Sequence, residues 1–162
     1  MRRTGVTVLA LALLAAVPAN ALADATLFAG VNTTPANRMA KGFAVGVSLL
    51  VVAFEFEVTR TSDDAKSVAP SLTTGMGNVL LQTPFEIFGV QPYVTAGAGL
   101  YREKLEAPNH QETNVAVGTG GGIKIGLVGP VRLRLDYRVF KLAGGALNSP
   151  AHRVYAGLNL KF

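Results

Sequence analysis

Positions 131–139 read VRLRLDYRV, a run in which apolar and charged side chains alternate at every residue. Successive side chains of a β-strand point to opposite faces, whereas an α-helix would distribute both kinds around its circumference. Valine, leucine and tyrosine therefore share one face of this segment, and three arginines and one aspartate share the other. The stretch predicts a β-strand with one apolar face and one charged face.

Seven other segments show the same period of two. The alternation is clear at 42–49, 52–59 and 153–162, and it is weaker at 27–31, 72–81, 94–100 and 115–125. In the weaker segments, glycine and other small residues occupy much of the second face. Together with 131–139, these segments predict eight strands in an all-β chain.

The links between the strands alternate in character. Those at 32–40, 61–70, 103–113 and 141–152 are polar or rich in Pro, Gly and Asn, whereas those at 48–51, 83–91 and 126–130 are mostly shorter and more apolar. This pattern predicts an up-and-down antiparallel arrangement with long loops at one end and short turns at the other. The first short turn, at 49–51, lacks the residues that tight hairpins favour, so either this turn is unusual or the register shifts there.

The composition decides which face of the sheet points outward. Hydrophobic residues make up 49% of the 162 residues, and charged residues make up 15%, against about 25% in typical soluble domains. This balance disfavours intrinsic disorder and a charge-driven nucleic-acid binder. The interior of an eight-stranded barrel is too narrow for all the large apolar side chains, but small and charged residues would fill it. We therefore predict an eight-stranded transmembrane β-barrel with its apolar face in lipid.

The first 23 residues have the three parts of a secretory signal peptide. A basic start at Arg2 and Arg3 precedes an uninterrupted apolar run at 6–17, and a small-x-small site ends at Ala23. The apolar run is shorter than the about 20 residues that a transmembrane helix needs. We predict a cleaved signal peptide at 1–23 and a barrel domain at 24–162.

Taken together, the leader, the eight alternating strands and the terminal strand VYAGLNLKF at 154–162 resemble the small bacterial outer-membrane β-barrels of the OmpA and OmpX type. The sequence PY at 92–93, ahead of GAGLY at 97–101, is similar to the fifth strand of that superfamily. The resemblance implies a place in the Gram-negative outer membrane, reached through the periplasm. It also implies that Phe162, with Leu160 and Leu158 before it, is the signal that the barrel assembly machinery reads.

Charged residues on the second face of several strands would point into the lumen. The predicted lumen charge network consists of Glu55, Glu57, Lys124, Arg132, Arg134, Asp136 and Arg138. The third and seventh strands lie on opposite walls of an eight-stranded ring, so their charges would meet across the interior. An unpaired buried charge costs several kcal/mol, which favours a plug of ion pairs. A narrow gated pore remains an alternative.

Evidence for catalytic chemistry is thin. Enzymatic outer-membrane barrels use a histidine with a serine, but His110 and His152 both lie in predicted loops, and Ser149 precedes His152 in a Pro-bearing loop. The sequence GTGGG at 118–122 lacks the spacing of a phosphate-binding loop and lies within a predicted strand. Two isolated histidines and no cysteine cannot supply the usual metal sites. We predict that the chain is not an enzyme and has no cofactor or metal.

The loops carry charges of both signs, without a dominant one. Four basic residues near the predicted membrane boundary, Arg38, Lys41, Arg60 and Arg102, would be able to contact lipopolysaccharide phosphates. We predict a monomeric envelope protein with a structural or surface-interaction role, whose partners are outer-membrane lipid and lipopolysaccharide and not nucleic acid. A small porin-like channel and a soluble lipocalin-like barrel that carries an apolar ligand are the alternatives.

Overall fold

The computed structural model describes residues 22–105 and 109–162. Its strands are β1 (Leu22–Asn32), β2 (Arg38–Leu49), β3 (Val52–Thr61), β4 (Ser71–Gln82), β5 (Val90–Leu105), β6 (His110–Val128), β7 (Val131–Leu142) and β8 (Ala151–Lys161). Each strand pairs antiparallel with its sequence neighbours, and β8 pairs with β1 to close the barrel. The predicted fold, an all-β eight-stranded up-and-down barrel, is confirmed. Within the described residues, no helix is long and apolar enough to cross a membrane.

The two walls of the barrel follow the alternation in the sequence. On β7, Arg134 and Asp136 point into the lumen and are buried, whereas Leu135 and Tyr137, each the next residue along the strand, point outward and are 39% and 47% exposed. The pleat of a strand sends neighbouring side chains to opposite faces, so one strand supplies both walls. Closure pairs the backbone groups of all eight strands, which removes the open edges of the sheet.

Several strands extend further than the alternation predicts. β5 runs to Leu105 and β6 begins at His110, so most of the predicted loop at 103–113 is paired strand. β8 begins at Ala151, which places His152 on a strand as well. The prediction at 141–152 was wrong only at its two ends, whereas that at 103–113 was wrong because both faces of the paired segment are largely polar. Where both faces of a strand meet polar surroundings, the contrast between its faces disappears from the sequence although the hydrogen-bonded ladder continues.

β1 also starts earlier than the predicted domain boundary. Leu22 and Ala23 pair with Ser48 and Val47 of β2. The backbone N–H of Ala23 also donates to the carbonyl oxygen of Phe162 at 2.8 Å, which helps to join the two ends of the chain. The rest of the predicted signal peptide, residues 1–21, lies outside the described residues.

The first short turn is unusual, and its register is intact. Leu49 pairs with Val52, so only two residues connect β2 to β3. The first of them, Leu50, has a φ of 53°, a left-handed conformation that two-residue hairpins normally assign to glycine or asparagine. Of the two explanations that the sequence left open, the unusual turn is the one observed.

Glycines on the lumen side of β6 make room for large side chains from other strands. A Cβ atom added at Gly122 would lie 2.2 Å from the carbonyl oxygen of Leu135 and 2.6 Å from the hydroxyl oxygen of Tyr93. At Gly120, it would lie 3.0 Å from Cγ of Arg138. The narrow interior therefore accommodates tyrosine and arginine because the facing positions have no side chain.

Candidate functional site: the charged lumen

Six buried charged side chains meet in the middle of the lumen, and we call this set the central network. Its members are Glu55, Glu57, Arg134, Asp136, Arg138 and Arg153. β3 supplies two of them, β7 three and β8 one. Because β3 and β7 are four strands apart in a ring of eight, they face each other across the interior. The alternation of each strand then points these side chains towards one another.

Glu55 links two arginines of the opposite wall. Its Oε1 accepts hydrogen bonds from Nη2 of Arg138 at 2.9 Å and from Nη2 of Arg134 at 3.3 Å. Nη1 of Arg134 also donates to the second carboxylate oxygen. One carboxylate from β3 therefore joins two guanidinium groups from β7, and this contact crosses the lumen.

Asp136 lies between the same two arginines on their own strand. It accepts from Nη2 of Arg134 at 3.0 Å and from Nε of Arg138 at 3.1 Å. The hydroxyl of Tyr155 donates to it at 2.9 Å, and the hydroxyl of Tyr93 donates to the same oxygen. This number of donors compensates for the removal of the carboxylate from water.

Glu57 completes the network on the side of β8. Its Oε1 accepts from Nη1 of Arg153 at 2.9 Å and from the hydroxyl of Thr59 at 3.0 Å. Its Oε2 lies 3.0 Å from Nη1 of Arg138, an ion pair without the alignment of a hydrogen bond. Three carboxylates thus face three guanidinium groups, and the central network carries no net formal charge.

The structure brings together five of the seven residues predicted for the lumen charge network, namely Glu55, Glu57, Arg134, Asp136 and Arg138. Sequence reasoning missed Arg153, Tyr93 and Tyr155. The guanidinium carbon of Arg134 lies 4.9 Å from the ring centroid of Tyr93, a cation–π contact that adds to the hydrogen bonds. Arg153 and Tyr155 occupy inward positions of the terminal strand, so the alternation indicated where their side chains point but not which residues they contact.

The other two predicted members, Lys124 and Arg132, belong to a separate group at the short-turn end, which we call the mouth cluster. Nζ of Lys124 lies 3.1 Å and Nη2 of Arg132 3.7 Å from the carboxylate of Asp24. Arg132 also donates to the side-chain oxygens of Asn159 at 2.8 Å and Gln91 at 3.0 Å. A small cavity of about 80 Å³, lined in part by Asp24 and Arg132, adjoins the cluster.

An apolar layer lines the β4 to β8 side of the lumen, between the central network and the long loops. Its members are Leu72, Met76, Tyr101, Ala116, Phe140, Leu142 and Ala151, all buried. The guanidinium carbon of Arg153 lies 4.4 Å from the ring centroid of Phe140, so the charged and apolar layers are in contact. A path from the long-loop end to the central network therefore passes Arg38 and Glu103 first and this apolar layer next.

Arg38 organises the long-loop end from the inside. Its guanidinium donates to the carbonyl oxygens of Thr34 at 2.8 Å and Ser62 at 3.2 Å, and also to that of Pro70. The side chain is buried, which separates it from the other basic residues proposed to contact lipopolysaccharide. The loop position predicted for Arg38 was wrong, since it is the first residue of β2.

The other three basic residues of that set point outward. Lys41, Arg60 and Arg102 are exposed and lie on β2, β3 and β5 near the long-loop end. The structure therefore divides the four predicted contacts into one inward residue that holds loops and three outward residues that face the surroundings of the barrel.

The residues considered for catalysis do not meet. Nδ1 of His152 lies 2.7 Å from the hydroxyl oxygen of Tyr137, and the hydroxyl of Ser149 accepts a hydrogen bond from the backbone N–H of Leu142 at 3.0 Å. Nε2 of His110 lies 3.7 Å from the carboxylate of Glu103 at the other side of the barrel end. Among the described residues, no group of three or more His, Cys, Asp or Glu side chains is placed to hold a metal ion.

The terminal residues predicted as an assembly signal share the outward face. Leu158 and Leu160 of β8 and the final Phe162 are all exposed. Their common face is compatible with recognition from outside the barrel. Their role in assembly stays a prediction.

Comparison with known proteins identifies the fold. No protein-family model and no curated protein sequence matches the chain. The structure is similar to that of Neisserial surface protein A (TM-score 0.64, 19% identity, 88% of this chain and 96% of that one). It is also similar to the N-terminal β-barrel domain of OprF from Pseudomonas aeruginosa (TM-score 0.67, 14% identity, 87% and 97%) and to the outer membrane enzyme PagL (TM-score 0.51, 11% identity, 85% and 98%). The chain therefore has the fold of small bacterial outer-membrane β-barrels, as the resemblance in the sequence predicted.

Proposed function

We propose that this chain is an integral outer-membrane protein of the Gram-negative envelope with a structural or surface-interaction role, a closed lumen and no enzymatic activity. The single observation that carries the proposal is the distribution of side chains between the outer wall and the interior of the barrel. Large apolar side chains cover the outer wall, whereas ion pairs occupy the middle of the interior. A soluble lipocalin-like barrel would have the opposite arrangement, because burial of apolar surface is what stabilises a protein in water.

The extent of the apolar outer wall supports a lipid environment. Leu27 and Met39 on the neighbouring strands β1 and β2 are 72% and 65% exposed, and Leu100 on β5, at the opposite side of the ring, is 60% exposed. Monomeric soluble proteins seldom expose contiguous apolar patches larger than a few hundred Å². A spanning strand needs about 9–11 tilted residues, and every strand of this barrel has at least 10.

The closed lumen is supported by two successive layers. The central network occupies the middle of the barrel, and the apolar layer follows it towards the long loops. A conducting pore would need a continuous polar path past both layers. This arrangement favours a plugged barrel over the porin-like alternative.

The partners of this proposal follow from the same location. Outer-membrane lipid and lipopolysaccharide would surround the barrel, and the barrel assembly machinery would recognise the outward residues Leu158, Leu160 and Phe162 during insertion. The leader at 1–23 would direct export to the periplasm. A monomer suffices, because a closed barrel leaves no strand edge that requires a partner.

A pair of matched substitutions tests the membrane environment. Leu27 and Leu50 are 72% and 73% exposed, but Leu27 lies within β1 and Leu50 lies in a turn. In lipid, Leu27→Arg should destabilise the barrel by about 2–4 kcal/mol, whereas Leu50→Arg at the boundary should cost about 0–1 kcal/mol. The measurement is unfolding by urea in phosphatidylcholine vesicles, with heat-modifiable gel mobility as the sign of a folded barrel.

Fractionation and conductance complete the test. The full chain should enter the outer-membrane fraction, and the refolded protein should give no steady current in a planar bilayer. Recovery of a heat-insensitive protein from the soluble fraction, with equal stability of the two arginine variants, would refute the membrane proposal. A steady open-channel current would favour the porin-like alternative.

A further inference from the structure

The charges of the barrel are sorted by sign between its two walls. Within the described strands, all acidic side chains point into the lumen or into its loop end: Asp24, Glu55, Glu57, Glu103, Glu112 and Asp136. Every Lys or Arg on the outward faces of these strands lies towards the long-loop end: Lys41, Arg60, Arg102, Lys104 and Lys141. The outward faces of the described strands therefore carry basic residues and no acidic ones.

Three of these cations lie in one row across neighbouring strands. Lys41 is directly opposite Arg60, Arg60 is opposite Thr73, and Thr73 is opposite Arg102. We call Lys41, Arg60 and Arg102 the basic row. At about 4.8 Å between strands, the row is about 14 Å long. Within the part of the chain that the structure describes, none of the three forms an ion pair, which leaves their charges accessible to an anionic ligand.

An apolar groove runs along the outer wall on the membrane side of the basic row. It has a volume of about 880 Å³. Phe54 and Phe56 of β3 form one side, and Gly77, Ala96 and Ala98 of β4 and β5 form the floor. Gly77 lies four residues along β4 from Thr73, the residue opposite Arg60 and Arg102. The groove therefore begins near the cations and extends along the strands away from them.

The floor of this groove is open for a reason other than packing. A Cβ atom at Gly77 would meet its nearest neighbour at 3.8 Å, and one at Gly75 would meet nothing within 4 Å. At Gly122 in the lumen, the corresponding distance is 2.2 Å. Side chains would thus fit at Gly75 and Gly77 without a steric clash, so the space above these two glycines is left free by the barrel.

We propose that the basic row and the groove together bind one molecule of bis-phosphorylated lipid A, with its phosphates at Lys41, Arg60 and Arg102 and one acyl chain along the groove. The inference rests on the proposed function, because it requires the long-loop end to lie in the outer leaflet. Charge complementarity selects a phosphorylated headgroup. The length of the row favours a headgroup with two phosphates over a glycerophospholipid, which presents one.

The opposite side of the barrel provides an internal control. A second apolar groove of about 600 Å³ lies across β7, β8 and β1, with Ala156 at its floor. Tyr137, Val154 and Val31 form its loop end, and four residues beyond Tyr137 the outward faces of these three strands carry a single cation, Lys141, in place of a row. The two grooves therefore share an apolar lining and differ in the presence of the basic row.

The test measures the binding of purified lipid A to the refolded full chain by native mass spectrometry, with phosphatidylglycerol as the competitor. The Arg60→Gln/Arg102→Gln variant should bind lipid A about 30-fold more weakly, or about 2 kcal/mol, because each cation near an anionic surface contributes about 1 kcal/mol. The charge-matched control is Lys66→Gln/Lys141→Gln, which removes two exposed cations outside the row and should bind as the wild type does.

The groove is tested by the same substitution on both sides. Ala98→Leu fills the proposed groove and should weaken binding several-fold, whereas Ala156→Leu fills the groove without a basic row and should leave binding unchanged. Each variant is first checked for heat-modifiable folding in phosphatidylcholine vesicles. Failure of the wild type to fold there would count against the proposed function, and normal folding without these binding differences would count only against the lipid site.

Three results would overturn the site. If the two double variants lost lipid A binding equally, the binding would reflect general charge attraction. If the two leucine variants lost it equally, the binding would reflect general contact with lipid. Effective competition by phosphatidylglycerol at equal concentration would assign the row to single phosphates and not to lipid A. Selective loss in Arg60→Gln/Arg102→Gln and Ala98→Leu, with weak competition, is the result that supports it.

Discussion

The central network and the mouth cluster use the same residue types in two different ways. In the central network, three carboxylates and three guanidinium groups compensate each other. In the mouth cluster, the single carboxylate of Asp24 faces both Lys124 and Arg132, and neutral amides supply much of the remaining contact. The comparison teaches that exact pairing of charge is needed in the middle of the barrel, where water is excluded, and less so at its end.

Dielectric surroundings explain the difference. A buried ion loses several kcal/mol of hydration, and only close partners with good geometry restore it. The mouth cluster adjoins a small cavity at the short-turn end. Water and amide oxygens can there replace part of the hydration that the buried charges lose. Removal of one carboxylate should therefore cost much more in the central network than in the mouth cluster.

The largest effect is expected for Glu57→Ala. This change leaves Arg153 and part of Arg138 without a carboxylate, and loss of one partner from a buried pair costs about 3–5 kcal/mol. The unfolding midpoint in urea should fall accordingly, and the space created beside the unpaired guanidinium of Arg153 should raise bilayer current with a preference for anions.

Glu112→Ala is the matched control, because Glu112 contacts the backbone N–H of Gly145 at the loop end of the lumen and is only partly buried. It should change stability by less than about 1 kcal/mol. An unchanged midpoint together with an unchanged current for Glu57→Ala would contradict the role given to the central network.

Alternation in the sequence predicted the inward and outward faces correctly, because the pleat of a strand leaves no other choice once the strand is known. It could not predict height along the barrel axis. Lys124 is directly opposite Arg134 on the neighbouring strand, yet its amine reaches Asp24 in the mouth cluster. Strand tilt and stagger determine which inward residues share a level, and these depend on the closed ring as a whole.

The omission of Arg153 has another cause. Its strand was recognised by its outward leucines and its terminal phenylalanine, and the inward positions there are otherwise Tyr155, Gly157 and Asn159. A lone arginine in such a set does not suggest a network. Only closure of β8 next to β7 brings Arg153 within 2.9 Å of Glu57.

A smaller effect is expected at the mouth cluster. Asp24→Asn removes its single carboxylate but keeps an acceptor oxygen, and Lys124 still has Gln82 at 3.4 Å. We expect a loss of about 1–2 kcal/mol in the free energy of unfolding, clearly below that of Glu57→Ala.

A double-mutant cycle with Lys124→Gln isolates this pair. The coupling energy between Asp24 and Lys124 should be about 1 kcal/mol, measured by urea unfolding of the two single variants and the double variant. A loss at Asp24 as large as that at Glu57 would show that the mouth is as dry as the middle, and the contrast between the two clusters would fail.

The smallest effect lies outside the lumen, at a charge that needs no compensation for burial. Asp64 precedes the 3-10 helix at Ala65–Ser67, and its carboxylate accepts from the hydroxyl of Ser67 at 2.9 Å and from the backbone N–H of Lys66 at 3.1 Å. These two hydrogen bonds hold the pKa of Asp64 below its ordinary value, and the bond from Ser67 has the largest effect. Asp64→Ala should therefore expose the turn, with roughly threefold faster tryptic cleavage after Lys66.

The sign of the pH dependence follows from the lowered pKa. The ionised form is favoured in the folded loop, so its stabilisation is complete above the ordinary aspartate pKa and is lost as the pH falls through the lowered one. Hydrogen exchange of the Lys66 amide should accordingly lose its protection only at acidic pH.

Asp63→Ala removes the same charge from the neighbouring residue without removing a cap, and should change neither measurement. If both aspartate variants behaved alike, general loop charge and not the capping bonds would order this segment. The barrel itself should melt at the same urea concentration in either variant, because loop charges contribute nothing to the two clusters inside.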